Sequence, residues 1–295
     1  MEVRSNSIIP SVPSTASDHE PNYLIIGHVT KDLIPEGQRM GGTAAYSGLT
    51  ALAWGASTAL VTSCSPACDL SALDGMLIQK VLSGRETIFE NRYRGGKREQ
   101  WIRSMAENLG AAHIPTSWFA PSIAHLAPVA GEIKPALLDL FSHSLRCVTL
   151  QGWMRITDSD GKVSHAVKPE AELAARAADA AVFSLDDLDG DTAEAERLAR
   201  MCPVTALTDG AQGCKIFWKG EVQAFRAPTQ PEIDPTGAGD IFAAIFFLRL
   251  KETGNAWEAA RMATVLASRS VTRQGLSGVP TREEILDLKQ AGKSP

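Results

Sequence analysis

Apolar residues arrive in this chain in short blocks separated by glycines and polar turns. The first block, "YLII" at 23–26, is closed by Gly27. A brief uninterrupted run of this kind predicts a strand buried on both faces, as in a parallel sheet. "GGTAAYSGLTALAWG" over 41–55 reads as a glycine turn entering an apolar, Ala-rich helix that Gly55 ends, and "STALVTS" over 57–63 reads as a second buried strand. Strand, helix, strand is the unit of a parallel α/β sheet. The rhythm breaks over 85–103, where polar and apolar residues alternate on two arms around "GGK". That pattern predicts a charged hairpin turning at Gly95–Gly96, set off from the main sheet. The rhythm resumes with strands over 123–129, 147–152, 180–185 and 204–210. Between them the pattern predicts helices near 131–143, over 169–178 and over 192–201, the last with Asp191 as N-cap. A hairpin turning at Lys219–Gly220 follows over 213–225, then helices over 239–253, 255–272 and 281–290. Glu283 and Glu284 fall in the first turn of the last helix, where its dipole favours negative charge. Residues 1–20 are polar with Pro and Ser and predict a disordered tail, leaving one α/β domain over 21–295.

Composition narrows the function classes. Of 295 residues, 44% are hydrophobic and 21% charged, an ordinary globular balance. The net charge of −5 gains nothing from counterion release, which argues against nucleic acid as the main ligand. Five cysteines, an odd number in a chain large enough to need no staples, suit a reducing, cytoplasmic setting. Cys64 and Cys68 have no second Cys/His pair at ligand spacing, so a structural zinc site is not expected. The longest apolar segment, "IFAAIFFLRL" at 241–250, is interrupted by Arg249 and falls short of the ~18 residues of a membrane span.

The chemistry concentrates in "IDPTGAGDIFAAIFF" at 233–247. An apolar helix leaves its first N–H groups without partners, and with the positive end of the dipole they make an anion site. Gly237, Ala238 and Gly239 let an anion approach the backbone closely. Asp240 does not suit a passive phosphate cradle, because a carboxylate repels phosphate. Two readings fit it locally: a base that takes a proton from an attacking hydroxyl, or a helix-start residue favoured by the dipole.

This segment resembles the second signature of the ribokinase-like (PfkB) carbohydrate kinase family, roughly D-x-T-G-A-G-D-x-F. Asp234, Thr236, Gly237, Ala238, Gly239, Asp240 and Phe242 match it. "MGGTAAYSGLTALAWGA" resembles the first signature, "GHVTKD" the early strand end with its substrate aspartate, "TDGAQGCKIF" the nucleotide-side turn, and "SVTRQGLSGVPTREEI" the closing segment. The resemblance covers roughly residues 22–290. "TLQGWMR", "TDGAQGCKIFWKGE" and "DPTGAGD" look most like the inositol-kinase branch.

The resemblance implies a three-layer α/β fold with a mainly parallel central sheet and a small β lid around 33–40 and 85–103. It implies ATP, Mg²⁺ and an alcohol acceptor: a small sugar, a cyclitol such as myo-inositol, or a nucleoside. Asp240 would then be the catalytic base, and the N–H groups of Gly237, Ala238 and Gly239 the anion hole. Asp32, Gly41, Gly42, Gln151 and Arg155 would meet the acceptor, and Thr208, Gly210, Gly213 and Thr236 the nucleotide. Lys97 and Arg98 fall in the lid, where Arg98 would reach a phosphate. Asp234 resembles a monovalent-cation loop of some members. A monomer or a homodimer is expected.

Two departures stand out. Many members carry N-x-x-E before the nucleotide strand; here Ser184 and Asp187 stand at those positions, leaving Asp187 as the water-mediated Mg²⁺ contact. Tyr46 replaces the usual Asn of the first signature. The competing reading is a non-catalytic sugar- or nucleotide-sensing relative, which would have no need of a base at 240. A nicotinamide-dependent dehydrogenase is excluded, because "IIGHVTKD" offers one glycine where G-x-G-x-x-G should follow the first strand.

Overall fold

The computed structural model describes residues 20–34, 37–94 and 97–291, with the side chains of 93–98 excepted. The tail expected over 1–20 lies outside them but for Glu20, as do the Gly95–Gly96 turn and the side chains of Lys97 and Arg98.

In chain order the first half runs β1 (Tyr23–Ile26), β2 (Thr30–Ile34), β3 (Gly37–Gly41), α1 (Thr43–Trp54), β4 (Thr58–Cys64), β5 (Leu77–Leu82), β6 (Thr87–Arg94), β7 (Lys97–Ser104), β8 (Ile123–Leu126) and β9 (Leu145–Thr149). The second half runs α2 (Gln151–Met154), β10 (Arg155–Thr157), β11 (Val163–His165), α3 (Pro169–Ala177), β12 (Ala180–Ser184), α4 (Thr192–Ala199), β13 (Val204–Thr208), β14 (Cys214–Trp218), β15 (Glu221–Phe225), α5 (Ala238–Thr253), α6 (Ala256–Ser270) and α7 (Arg282–Ala291).

The main sheet has nine strands in the order β15-β14-β13-β12-β9-β8-β1-β4-β5. Only β14 runs against the others, so that β13–β14 and β14–β15 are its antiparallel pairings. Strand β1 explains the layering. Tyr23 and Ile25 point into the core shared with α1, α5 and α6, while Leu24 and Ile26 point into the opposite core shared with α3 and α4. All four are fully buried, which is why the block reads as continuous apolar sequence rather than an alternation. Helix α5 lies between α1, α6 and the sheet, and it is apolar all round because almost every side meets protein.

Two elements differ from the expectation. The helix near 131–143 is a 3₁₀ helix over Pro135–Phe141, with Pro135 at its first position. The strand expected over 147–152 ends at Thr149, and Gln151 opens the one-turn helix α2 instead. "TLQGWM" is apolar enough for either, and a wall for the cavity needs the chain to turn there. Gly152 permits the turn: a Cβ on it would fall 2.4 Å from the Pro128 carbonyl.

The second sheet orders β3-β2-β6-β7 and is separate from the nine-stranded sheet; it is formed by the segments expected as a lid, and the name is kept for it below. The periodicity did not anticipate the small hairpin β10–β11, which docks on the lid's β7 edge. The Ile102 N–H donates to the Gly161 carbonyl at 2.8 Å, and the Trp101 ring is approached by Arg92, Arg103 and Lys162 at 4.9, 5.3 and 5.6 Å.

Candidate active site

One cavity of about 550 Å³ lies beyond the carboxyl ends of the parallel strands. Ligand sites of open α/β sheets form there because loops diverge at that edge. Its lining includes Asp32, Gly42, Gln151, Arg155, Thr208, Gly210, Gly213 and Thr236 through Asp240, so nearly all residues expected at the site share one hollow. Gly41 stands just behind Asp32.

Asp240 sits in the first turn of α5, whose N-cap is Gly237 in the left-handed region (φ 81°). Gly237 is needed twice over. It takes a backbone conformation that side chains resist, and a Cβ there would lie 2.3 Å from the Tyr46 ring. The Ala238 N–H is engaged by the Pro235 carbonyl at 3.2 Å, while those of Gly237 and Gly239 have no partner among the described residues. The two glycine N–H groups are therefore left as free donors of the turn, with that of Asp240 behind them.

Burial pushes the Asp240 carboxyl up to about 6, with the Asp187 and Asp32 charges adding to the rise; the Thr43 hydroxyl and the Arg155 charge oppose it. A chain of hydrogen bonds holds this carboxylate. Gln151 Nε2 donates to Thr43 Oγ1 at 2.6 Å and to Asp240 Oδ1 at 3.3 Å, and the Thr43 hydroxyl itself bonds the carboxylate. Arg155 Nη2 donates to Gln151 Oε1 at 2.9 Å, which turns the amide nitrogen toward Asp240. The other Arg155 nitrogen, Nη1, donates to the Val129 carbonyl at 2.6 Å, and its guanidinium lies 5.1 Å from the Phe89 ring.

Asp32 is buried on lid strand β2 and accepts from Thr30 Oγ1 at 3.1 Å. Gly41 pairs with Thr30 across β2–β3, and a Cβ on it would stand 2.5 Å from Asp32 Oδ2. Gly42 (φ 90°) caps α1, with the His28 carbonyl 2.7 Å from where its Cβ would be. His28 itself is a structural residue: it is fully buried, with Nδ1 on Thr87 Oγ1 at 2.7 Å and Nε2 on the Glu107 carbonyl at 3.0 Å.

At the opposite end Thr208 closes β13, and Gly210 and Gly213 shape the turn into β14. A Cβ on Gly213 would fall 2.0 Å from the Phe225 carbonyl. Asp187 accepts the Ser184 N–H through Oδ2 at 2.9 Å. Burial raises its pKa, against the Arg155 charge. Among the described residues no group of three or more His, Cys, Asp or Glu side chains is set to hold a metal alone.

Sequence reasoning passed over two contributors. Thr43 follows the glycine pair and reads as a helix start. Arg39 reads as a lid charge, yet its Nη1 donates to Asp234 Oδ2 at 2.7 Å and its Nη2 to Thr236 Oγ1 at 2.8 Å. Tyr46, which stands where the first signature has Asn, lines the same cavity; its ring lies against Gly237, and its buried hydroxyl has no partner among the described residues.

Residues 160–282 match the model of the pfkB family carbohydrate kinases. Residues 160–282 are thus similar to that family, over a stretch that holds Asp187, the Thr208–Gly213 turn and the loop before Asp240. Over 173 residues the chain is 31% identical to an inositol 3-kinase of Zea mays, a match covering 58% of this chain and 44% of that protein. This chain thus spans less than half the length of that curated relative. Its fold is ribokinase-like. It superposes on a pyrophosphate-dependent kinase of the ribokinase family, complexed with a pyrophosphate analogue and myo-inositol, with a TM-score of 0.74 and 21% identity, covering 90% of this chain and 99% of that one. The ribokinase of Arabidopsis thaliana with ribose and ATP gives a TM-score of 0.67 at 15% identity, covering 92% and 99%. Among the described residues no helix is long and apolar enough to cross a membrane.

Proposed function

We propose that this chain is an ATP-dependent kinase that phosphorylates a hydroxyl of a small sugar or cyclitol, with myo-inositol the first acceptor to test. The observation that carries the reading is Asp240: a carboxylate with its pKa raised to about 6, in the first turn of a helix, beside unpaired backbone N–H groups and inside a cavity. A base tuned near the working pH takes the acceptor proton as the new O–P bond forms. The glycine N–H groups and the helix dipole balance the charge spread over the phosphoryl oxygens. On the acceptor side Asp32 accepts hydrogen bonds from polyol hydroxyls, a carboxylate's natural partners. Gln151 and Arg155 orient the base from the same wall.

The cavity continues past Gly237 to Ala227, Thr264, Ala267, Ser268 and Val271. That apolar extension suits a nucleoside, and pyrophosphate as donor would need no such room. Asp187 keeps one carboxylate oxygen beyond its cap to Ser184, which fits Mg²⁺ held through one carboxylate, water and the donor phosphates. There the ion would neutralise donor charge. The maize inositol 3-kinase and the myo-inositol complex of the pyrophosphate-dependent kinase favour a cyclitol acceptor.

The test is a matrix of ATP and pyrophosphate against myo-inositol, ribose, fructose, fructose phosphates and nucleosides, with the wild type beside Asp240→Asn. Turnover on one acceptor with ATP, reduced ~10²–10⁴-fold in the variant, is the expected result. Nucleotide binding without turnover on any acceptor would favour the sensing relative, and no nucleotide binding would overturn the kinase reading.

A further inference from the structure

Arg39 lies on lid strand β3, directly opposite Asp32 in the β2–β3 register. Its guanidinium leaves the lid and grips the turn that leads into α5. Nη1 meets Asp234 Oδ2 at 2.7 Å, and Nη2 meets Thr236 Oγ1 at 2.8 Å. Asp234 is buried, and its carboxylate also organises the turn. Oδ1 accepts the Thr236 N–H and Oδ2 the Gly275 N–H, each at 3.0 Å. Thr236 is the residue before Gly237. One cation on the lid is therefore tied to the segment whose next two glycines present the free N–H donors. Planar two-point contact of this kind fixes orientation as well as distance, which a point charge does not.

We propose that Arg39 is a positioning residue that couples the lid over the acceptor to the geometry of the anion hole. When β3 is seated, so that Asp32 faces the acceptor, Arg39 holds the Asp234–Thr236 turn and aims the N–H groups of Gly237 and Gly239. When β3 lifts, the turn loses its external brace and the hole loosens. Phosphoryl transfer is thereby restricted to the state in which the lid is down, which limits loss of the phosphoryl group to water. The same clasp occupies the Asp234 carboxylate that the sequence likened to a cation loop, so an internal guanidinium supplies positive charge there.

The kinetic part of this inference rests on the kinase reading; the structural part does not. Amide hydrogen exchange is measured on the full chain as wild type, Arg39→Gln and Arg39→Lys. In Arg39→Gln, exchange is expected to rise about tenfold or more at Thr236 and Gly275, together with β3, while the β1 and β12 amides stay unchanged. Arg39→Lys, which replaces the fork by one point, is expected to fall between. Faster exchange confined to β3, with Thr236 and Gly275 as slow as in wild type, would overturn the coupling whether or not turnover is found. With an active acceptor in hand, Arg39→Gln is expected to lower kcat about 10- to 100-fold, and millimolar guanidinium to restore part of it. A rise in acceptor KM at unchanged kcat would make Arg39 a lid residue only and overturn the proposal.

Discussion

Adding one methyl group to either glycine of the "GAG" loop should have opposite consequences two residues apart. At Gly237 the new Cβ has to adopt φ near 81° and would stand 2.3 Å from two atoms of the Tyr46 ring. The left-handed conformation costs roughly 1–2 kcal/mol for a residue with a Cβ. Overpacking against a buried ring costs typically another ~1–3 kcal/mol. Gly237→Ala should therefore lose roughly 2–5 kcal/mol of stability. At Gly239 the Cβ would meet nothing within 4 Å, and the residue already lies in the first turn of α5. Gly239→Ala should be neutral, or gain up to about 0.5–1 kcal/mol from the stiffer chain. The assay is thermal unfolding of both variants side by side. At roughly 2–4 °C per kcal/mol for domains of 150–250 residues, Gly237→Ala should melt at least about 4 °C below Gly239→Ala. A double-mutant cycle with Tyr46→Ala isolates the ring contact. The Gly237→Ala penalty should shrink by about 1–3 kcal/mol in that background, leaving the dihedral cost. Equal melting temperatures, or strict additivity in the cycle, would refute the account of why Gly237 stands there.

Three further outcomes follow from the site. Because burial raises Asp240 to about 6, kcat/KM should fall tenfold per pH unit below about 6 as the base is protonated. The same shift sets a stability sign: a carboxyl raised on folding costs stability only above its unfolded value, increasingly up to about pH 6 and fully beyond it. Asp240→Asn should therefore unfold at higher temperature than wild type at pH 8 and together with it at pH 4, as calorimetry at the two pH values would show. Gln151→Leu removes the donor to Asp240 and Thr43 together with the acceptor of Arg155 Nη2, so kcat should fall about tenfold and the acid limb should move upward in a pH–rate profile. Asp187→Asn should raise the Mg²⁺ concentration for half-maximal rate about tenfold with little change in acceptor KM, read from a Mg²⁺ titration.

What could be read from the sequence follows from where the information is local. The strands and α5 announce themselves because a strand buried on both faces, or a helix buried all round, has to be continuously apolar. The glycines before Asp240 are equally local: a helix N-terminus that meets an anion needs bare backbone over consecutive residues. The base's supports are not local. Thr43, Gln151 and Arg155 come from three segments, and each has an ordinary meaning at home: a helix start, a polar turn and a strand charge. Arg39 and Asp234 are separated by 195 positions, and no periodicity links them. The one-turn helix at Gln151 was missed because its apolar residues serve a strand and a cavity wall equally well; only the Gly152 approach to Pro128 decides.

The hairpin β10–β11 gives the fold an engineering consequence. Arg155, which braces the base, is the first residue of β10, and the far end of that hairpin is bonded to lid strand β7 through Gly161 and Ile102. Gly161 (φ 79°) leaves no room for a side chain there, since a Cβ would lie 2.4 Å from the Ile102 carbonyl. Wall and lid are thus one cassette rather than two interchangeable parts. A chimera that borrows residues 85–104 from a relative of different acceptor preference, but leaves 155–165 behind, would mismatch the joint and disturb the brace on Asp240. Transplanted specificity in this scaffold has to travel as both segments together.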